Sequence, residues 1–340
     1  MATSDGFPRS IVVSFVFFYF LVFVLSTAGN CLVLAMCYRA IKRNTSSLKW
    51  FIANLAIADL TFTFLSMLDF ITFLWTWLGG QVTCKLQSFL IEACYTASIM
   101  TLVVISLERR KAVVDPFSTR TSAPEGVYRK LGGLWFVSFV GASPLLYAYQ
   151  AHEDSTGAVS CTNIAFRDLG RQIYYSFHSI CFFLAPLIYM IYAQRTIFVT
   201  LRSSVFPTQN VSVSAACSKL RHRKAAKPLV ALTAAFVGCW SPFTITRMLM
   251  YFKFIDGGYI WRASQLLIFV NTALDPILYG IYGENLKSSL KRFFTCTVSQ
   301  TSASVGTLTE GIFMRRIGNN TCSSTTPRVN NYAGLHLDDV

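Results

Sequence analysis

Seven mostly apolar stretches, separated by short polar links, dominate the pattern along this chain: residues 11–38, 51–78, 84–107, 131–150, 173–200, 229–252 and 261–282. Each is long enough to cross a bilayer, which takes about twenty apolar residues in a helix. The pattern predicts an all-α membrane protein, a seven-transmembrane helix bundle over 11–282, preceded by a short outer segment, 1–10. Past it, Leu286, Leu290, Phe293 and Phe294 recur at helical spacing with lysines between them. That predicts an amphipathic eighth helix over 283–294, lying on the membrane lipids. Residues 295–340 are Ser/Thr-rich and read as a disordered cytoplasmic tail.

Composition supports this class. Hydrophobic residues make up 53% and charged ones 14%, where soluble domains carry about a quarter charged. The net charge of +14 would suit nucleic acid, but the basic residues sit in the links between apolar stretches and form no solvated face, so nucleic acid is excluded as a partner. Of the 30 lysines and arginines, 23 fall in the links after stretches one, three and five and in the tail. By the positive-inside rule those regions are cytoplasmic, which places the amino terminus outside and the carboxyl terminus inside, at the plasma membrane. The first stretch has features of a secretion signal, but it continues to Tyr38 and meets a basic cluster, so it reads as a span.

The ten cysteines include no Cys-x-x-Cys pair, which argues against a metal cluster. Cys84 and Cys161 fall on the outer, oxidising side and outside the apolar cores, and are expected to pair. Such a bridge would hold the loop after the fourth stretch over the mouth of the third. In that loop Asp154-Ser155-Thr156-Gly157 is a turn signal ahead of Ala158-Val159-Ser160-Cys161-Thr162, consistent with a β-hairpin.

Polar residues inside the stretches carry the motifs. They are Gly29-Asn30-Cys31-Leu32-Val33, Asn54-Leu55-Ala56-Ile57-Ala58-Asp59-Leu60, Glu108-Arg109-Arg110 with Arg109 25 residues after Cys84, Trp135 with Pro144, Pro186, Phe236 with Cys239-Trp240-Ser241-Pro242, and Asn271 through Asp275-Pro276 to Tyr279. In this order the set resembles the rhodopsin-like (class A) G-protein-coupled receptors, their neuropeptide-receptor-like group, over about 29–294. The resemblance implies an activation switch built from Glu108, Arg109, Phe236, Trp240, Pro242, Asp275, Pro276 and Tyr279. It also implies a sodium site at Asp59, Ser98, Asn271 and Asp275, with sodium as an allosteric cofactor. Hard oxygen donors suit such a cation, and a hydrogen-bonded polar core is the alternative. As partners it implies a heterotrimeric G protein, arrestin and receptor kinases, with Cys296 as a palmitoylation site. The sequence departs from the pattern at Asp275, where the family has Asn, at Gln194, where it has Tyr, and at His222, where it has an acid that would latch Arg109.

Ligand chemistry is narrowed by what is missing. Ile91 stands where amine receptors carry Asp, and Phe269 where opsins carry their retinal lysine. The polar groups left at pocket depth are Asp69, Gln87, Glu92, Tyr95, Arg247, Arg262 and Gln265, with Asp69 about 15 Å outward of Asp59 at the helical rise. Two acids and two arginines suit a short peptide with a basic residue, unless they only pair with one another. A small molecule or lipid ligand is the alternative, and a transporter lies further off because no inverted repeat is seen. The chain does not read as an enzyme: His152, His178, His222 and His336 are isolated along the sequence, with no His-Glu-x-x-His and no Gly-x-Ser-x-Gly.

Overall fold

A computed structural model describes residues 8–42, 48–115, 124–153, 157–203 and 213–282, with backbone only at 124–125, 203, 213–228 and 279–282. The expected eighth helix, the tail with Cys296, and the side chains of His222 and Tyr279 lie outside the described residues. Helices α1 (Arg9–Lys42), α2 (Leu48–Leu74) and α3 (Gly80–Val114) form the first three spans. The fourth is α4 (Pro124–Ala142), extended by the single turn α5 (Leu145–Ala148). The fifth joins α6 (Arg167–Ser179) to α7 (Ala185–Ser203) through one π turn, Ile180–Leu184. Spans six and seven are α8 (Val213–Tyr251) and α9 (Gly258–Tyr282). Six spans pass on length and hydropathy together. The seventh, α9, is diluted by Arg262, Gln265, Asn271 and Asp275, yet its 25 residues give about 37 Å, enough to cross.

Helices are the form a spanning segment takes because every backbone N–H and C=O is then satisfied within it. The departures have local causes. Pro186 supplies no N–H, and the π turn just before it absorbs the lost bond. Pro144 similarly separates α4 from α5. The apolar pattern carries the second stretch to Leu78, but α2 ends at Leu74. Beyond it the Trp77 N–H and the Thr76 hydroxyl both donate to the Val159 carbonyl, at 2.7 and 2.8 Å, which draws the chain out of the helix.

Val159 belongs to the hairpin, where β1 (Tyr149–Glu153) pairs antiparallel with β2 (Val159–Asn163). Cys84 of α3 is bonded to Cys161 of β2, with 5.6 Å between Cα atoms. The Ala151 N–H donates to Gln81 at 2.8 Å. Disulfide and hydrogen bonds together hold the hairpin over the outer end of α3.

The core runs down the middle of the bundle, where Leu55, Tyr95, Ile99, Phe236, Trp240 and Phe269 are buried. A polar seam joins α1, α2 and α9 beside it. Ser26 and Thr63 hydroxyls are 2.7 Å apart, Thr63 reaches Thr272 at 3.3 Å, and Asn30 donates to the Thr272 carbonyl at 2.9 Å. This seam works at close range because Gly29 has no side chain: a Cβ there would lie 2.6 Å from Pro276 Cγ. A proline ring fixed in its helix cannot swing aside. Gly29→Ala is therefore expected to lower stability by about 1–3 kcal/mol, the usual cost of overpacking. The check is thermal unfolding of the purified chain, where an unchanged midpoint would contradict the close packing.

Candidate functional site

Under the hairpin the helices leave a cavity of about 720 Å³. Six of the eight residues read from the sequence as ligand contacts line it: Asp69, Ile91, Glu92, Arg247, Arg262 and Gln265. Gln87 stands behind the wall, buried, with its amide donating to Asp69 Oδ1 at 2.8 Å and to the Leu65 carbonyl at 3.2 Å. Tyr95 lies below the cavity, its ring stacked on Trp240 with centroids 4.0 Å apart. Neither Gln87 nor Tyr95 is a lining residue, so each acts on the cavity through the neighbour it holds.

The charges are arranged in two groups. Asp69 on α2 is exposed within the cavity and takes its one described hydrogen bond from Gln87. Arg262 on α9 reaches over the Phe73 ring at 4.8 Å and donates to Gln265 at 3.4 Å. Deeper in, Glu92 on α3 meets Arg247 on α8 at 3.3 Å. The Arg247 guanidinium is sandwiched over two rings, Tyr175 at 4.4 Å and Phe243 at 4.9 Å. His178 on α6 places Nδ1 3.2 Å from the same Glu92 oxygen and Nε2 3.3 Å from the Thr96 hydroxyl.

His178 is thus brought into the site although nothing near it in sequence marks it. Tyr175, Tyr251 and Asn163 also line or border this corner and were not read as candidates. Tyr175 stacks on Tyr251 at 4.7 Å, and its hydroxyl is 3.4 Å from that of Tyr149. His178 and Tyr175 fall three residues apart, on one face of α6, a spacing that gains meaning only once Glu92 and Arg247 are seen beside them.

Two rings of the wall, Phe62 and Phe243, touch Trp240 at 6.2 and 6.1 Å, and Phe236 packs beneath it at 6.2 Å. Pro242 lies within α8, half-buried, two residues beyond Trp240. On the side of this stack away from the cavity, Asp59, Asn271 and Asp275 are all buried. Ser98 donates to Asp59 at 3.2 Å, the Asn271 amide approaches Asp275 at 3.5 Å, and the two carboxyl groups are close enough to bear on each other's charge. Pro276 follows directly in α9, and Tyr279 is one turn along the same helix.

At the end of α3 far from the hairpin, Glu108 is held by Lys130 of α4 at 2.6 Å. Arg109 is partly buried, and Arg110 reaches the Tyr192 hydroxyl on α7 at 3.4 Å. Gln194, the residue that replaces the expected tyrosine, donates to the Thr233 hydroxyl at 2.6 Å and to the Leu229 carbonyl at 3.3 Å. It therefore ties α7 to α8.

A disulfide-pinned hairpin over a charged, aromatic cavity, with a tryptophan packed among rings and a buried polar cluster beneath it, is the arrangement of a seven-helix membrane receptor. The family described as 7 transmembrane receptor (rhodopsin family) matches residues 29–279, so the chain belongs to that family, whose members are receptors and not enzymes. It is 30% identical to galanin receptor 2a of Danio rerio over 295 residues, 85% of this chain and 79% of that receptor. It is 26% identical to a QRFP-like peptide receptor of Branchiostoma floridae over 305 residues, covering 84% and 78%. It is 28% identical to somatostatin receptor type 1 of Rattus norvegicus over 300 residues, covering 85% and 73%.

The Glu92–Arg247 pair gives a direct test of this geometry. Arg247→Met leaves a buried carboxylate without its main counter-charge and is expected to cost about 3–5 kcal/mol of stability. Adding Glu92→Gln to that variant should restore most of the loss. Denaturant unfolding in detergent reads both; an Arg247→Met chain as stable as the wild type would contradict the buried pair.

Proposed function

We propose that this chain is a plasma-membrane receptor for an extracellular peptide, with its amino terminus outside and its carboxyl terminus in the cytoplasm. Peptide entry shifts a two-state bundle toward a conformation that activates a heterotrimeric G protein. The observation that carries this reading is the cavity: it holds both signs of charge, has many aromatic rings in its walls, and rests through Phe62 and Phe243 on Trp240. Relatives whose names include a QRFP-like peptide receptor and a pyroglutamylated RF-amide peptide receptor support a peptide over a small molecule or lipid.

The residues below Trp240 fit a small cation. Asp59 and Asp275 supply carboxylate oxygens and Ser98 a hydroxyl, while Asn271 Oδ1 is buried without a hydrogen bond among the described residues. These four would hold sodium as an allosteric cofactor, an ion that offsets two neighbouring acids which cannot both ionise cheaply alone. A ligand that moves Trp240 bears on this cluster through the core of α8 and α9.

On the inner side, release of Arg109 would open the crevice a G protein enters. The Lys130 bridge means that Glu108 is engaged with α4 in this conformation. Receptor kinases and arrestin are the partners proposed for the Ser/Thr-rich tail, inner-leaflet lipids for 283–294, and palmitoylation for Cys296, all outside the described residues.

Nucleotide exchange on a G-protein panel, driven by a peptide library, tests the reading. A peptide that accelerates exchange in the wild type and loses potency in Asp69→Asn is the expected outcome. Activation by lipids or small amphiphiles alone would overturn it. Replacing sodium by choline is expected to lower the thermal midpoint of the wild type and leave Asp59→Asn unchanged; indifference of both would remove the sodium site.

A further inference from the structure

Among the described residues, two that are not glycine adopt left-handed backbone: Arg167 at φ 49° and Lys253 at φ 61°. Such a conformation is disfavoured for a residue with a Cβ, and it persists where the surrounding structure holds it. Both residues belong to one contact at the rim of the cavity. Lys253, in the turn after α8, donates through Nζ to Asp168, the residue that follows Arg167 at the start of α6.

Helix α8 ends in a Schellman motif, in which the Phe254 N–H donates to the Leu249 carbonyl at 2.8 Å and the Lys253 N–H to the Met250 carbonyl at 3.0 Å. Lys253 therefore stands where glycine is usual. A glycine would relieve the backbone, and what lysine adds is an ammonium on Asp168. Stability does not explain that choice. The two side chains are 68% and 48% exposed, so water and salt screen the pair and it contributes little. A weak, exposed contact kept on a strained backbone suits a part that opens and recloses.

The pair is one link of a longer strap. Asp168 also accepts from Nη2 of Arg171. That arginine gives Nη1 to the Asn163 carbonyl of β2 at 3.3 Å and Nε to the Arg167 carbonyl at 3.2 Å. One turn along α6 from Asp168, Gln172 donates to the Tyr251 carbonyl at 3.0 Å. The strap thus runs from the hairpin through α6 to the end of α8, with Lys253–Asp168 as its exposed link. Asn163, Arg171 and Tyr251, which it holds, all line the cavity. Each side of it meets a place where the chain can bend: the π turn between α6 and α7, and Gly257 and Gly258, both at positive φ, between Lys253 and α9.

We propose that the Lys253–Asp168 pair is a gate on the cavity. Closed, it holds α6 against the end of α8; parted, it lets α6 and the α8–α9 turn separate and admits solutes. The inference concerns access to the cavity whatever ligand enters it, so it stands apart from the peptide reading.

The test uses the full chain in lipid nanodiscs carrying Ser66→Cys, at a position that lines the cavity. Its reaction with N-(2-hydroxyethyl)maleimide, a small neutral thiol reagent, reports how often the cavity is open. The chain without that substitution gives the background of the native cysteines, and Val82→Cys, exposed on α3, gives the rate of an open thiol. Lys253→Gly suits the left-handed backbone, so it should fold and keep its thermal midpoint. It should label the cavity cysteine about twofold to fivefold faster, the weight of one exposed ion pair. Asp168→Ala should accelerate labelling as much, and the two together no more than either, which a lysine serving only the helix dipole would not show. Raising salt from about 0.1 M to about 1 M should also speed labelling with Lys253 present and have no such effect in Lys253→Gly. Labelling of Lys253→Gly at the unaltered rate, an equal salt response in both chains, or acceleration that comes only with a lower midpoint would overturn the gate.

Discussion

A carboxylate inside a membrane-spanning bundle has to be answered by another polar group, because hydrocarbon offers it nothing. Acids at three depths, Asp69, Glu92 and the Asp59–Asp275 pair, set where the helices of this receptor must meet. Glu92 draws together α3, α6 and α8 through His178 and Arg247. Asp59 does the same for α2, α3 and α9 through Ser98 and Asp275. Apolar packing fills the space between these points but is less specific, since lipid tails are as apolar as leucine.

Trp240 is the physical link between the two depths. It stacks on Tyr95 above the lower cluster and is touched from the cavity side by Phe62 and Phe243. A ligand that displaces either ring moves a side chain whose helix also carries Thr233, the partner of Gln194. Interhelical bonds of this kind have two discrete states, made or broken, which is what a switch requires. The Gln194 bond takes the place of a tyrosine contact expected from the family, and it secures α7 to α8 in the conformation described here.

Much of this was legible in the sequence, for identifiable reasons. Hydropathy marks spans because the bilayer imposes a length, and Cys84 with Cys161 stood out because one opens an apolar stretch and the other lies in a link, both outside the apolar cores. Hydropathy does not mark helix ends: α8 begins at Val213, well before the apolar stretch at 229, because a helix continues in water as long as its backbone can. The cavity acids and arginines were legible as misfits in hydrocarbon. His178 was not, because an aromatic-flanked histidine looks like ordinary core until Glu92, 86 positions earlier, is seen beside it. Asn163 was hidden in the loop, where a polar residue is unremarkable. Glu108 was expected beside Arg109, and its engagement with Lys130 depends on how α4 sits against α3.

Coupling between cavity and inner face must be reciprocal, so a partner bound inside should move the helices even without an outer ligand. The most direct measurement is the distance distribution between spin labels at Lys111 on α3 and Val230 on α8, both exposed near the inner end. Adding nucleotide-free heterotrimeric G proteins is predicted to shift it to longer distances for at least one member of a panel. A distribution unchanged by every member would contradict the account of a two-state bundle linked through Trp240.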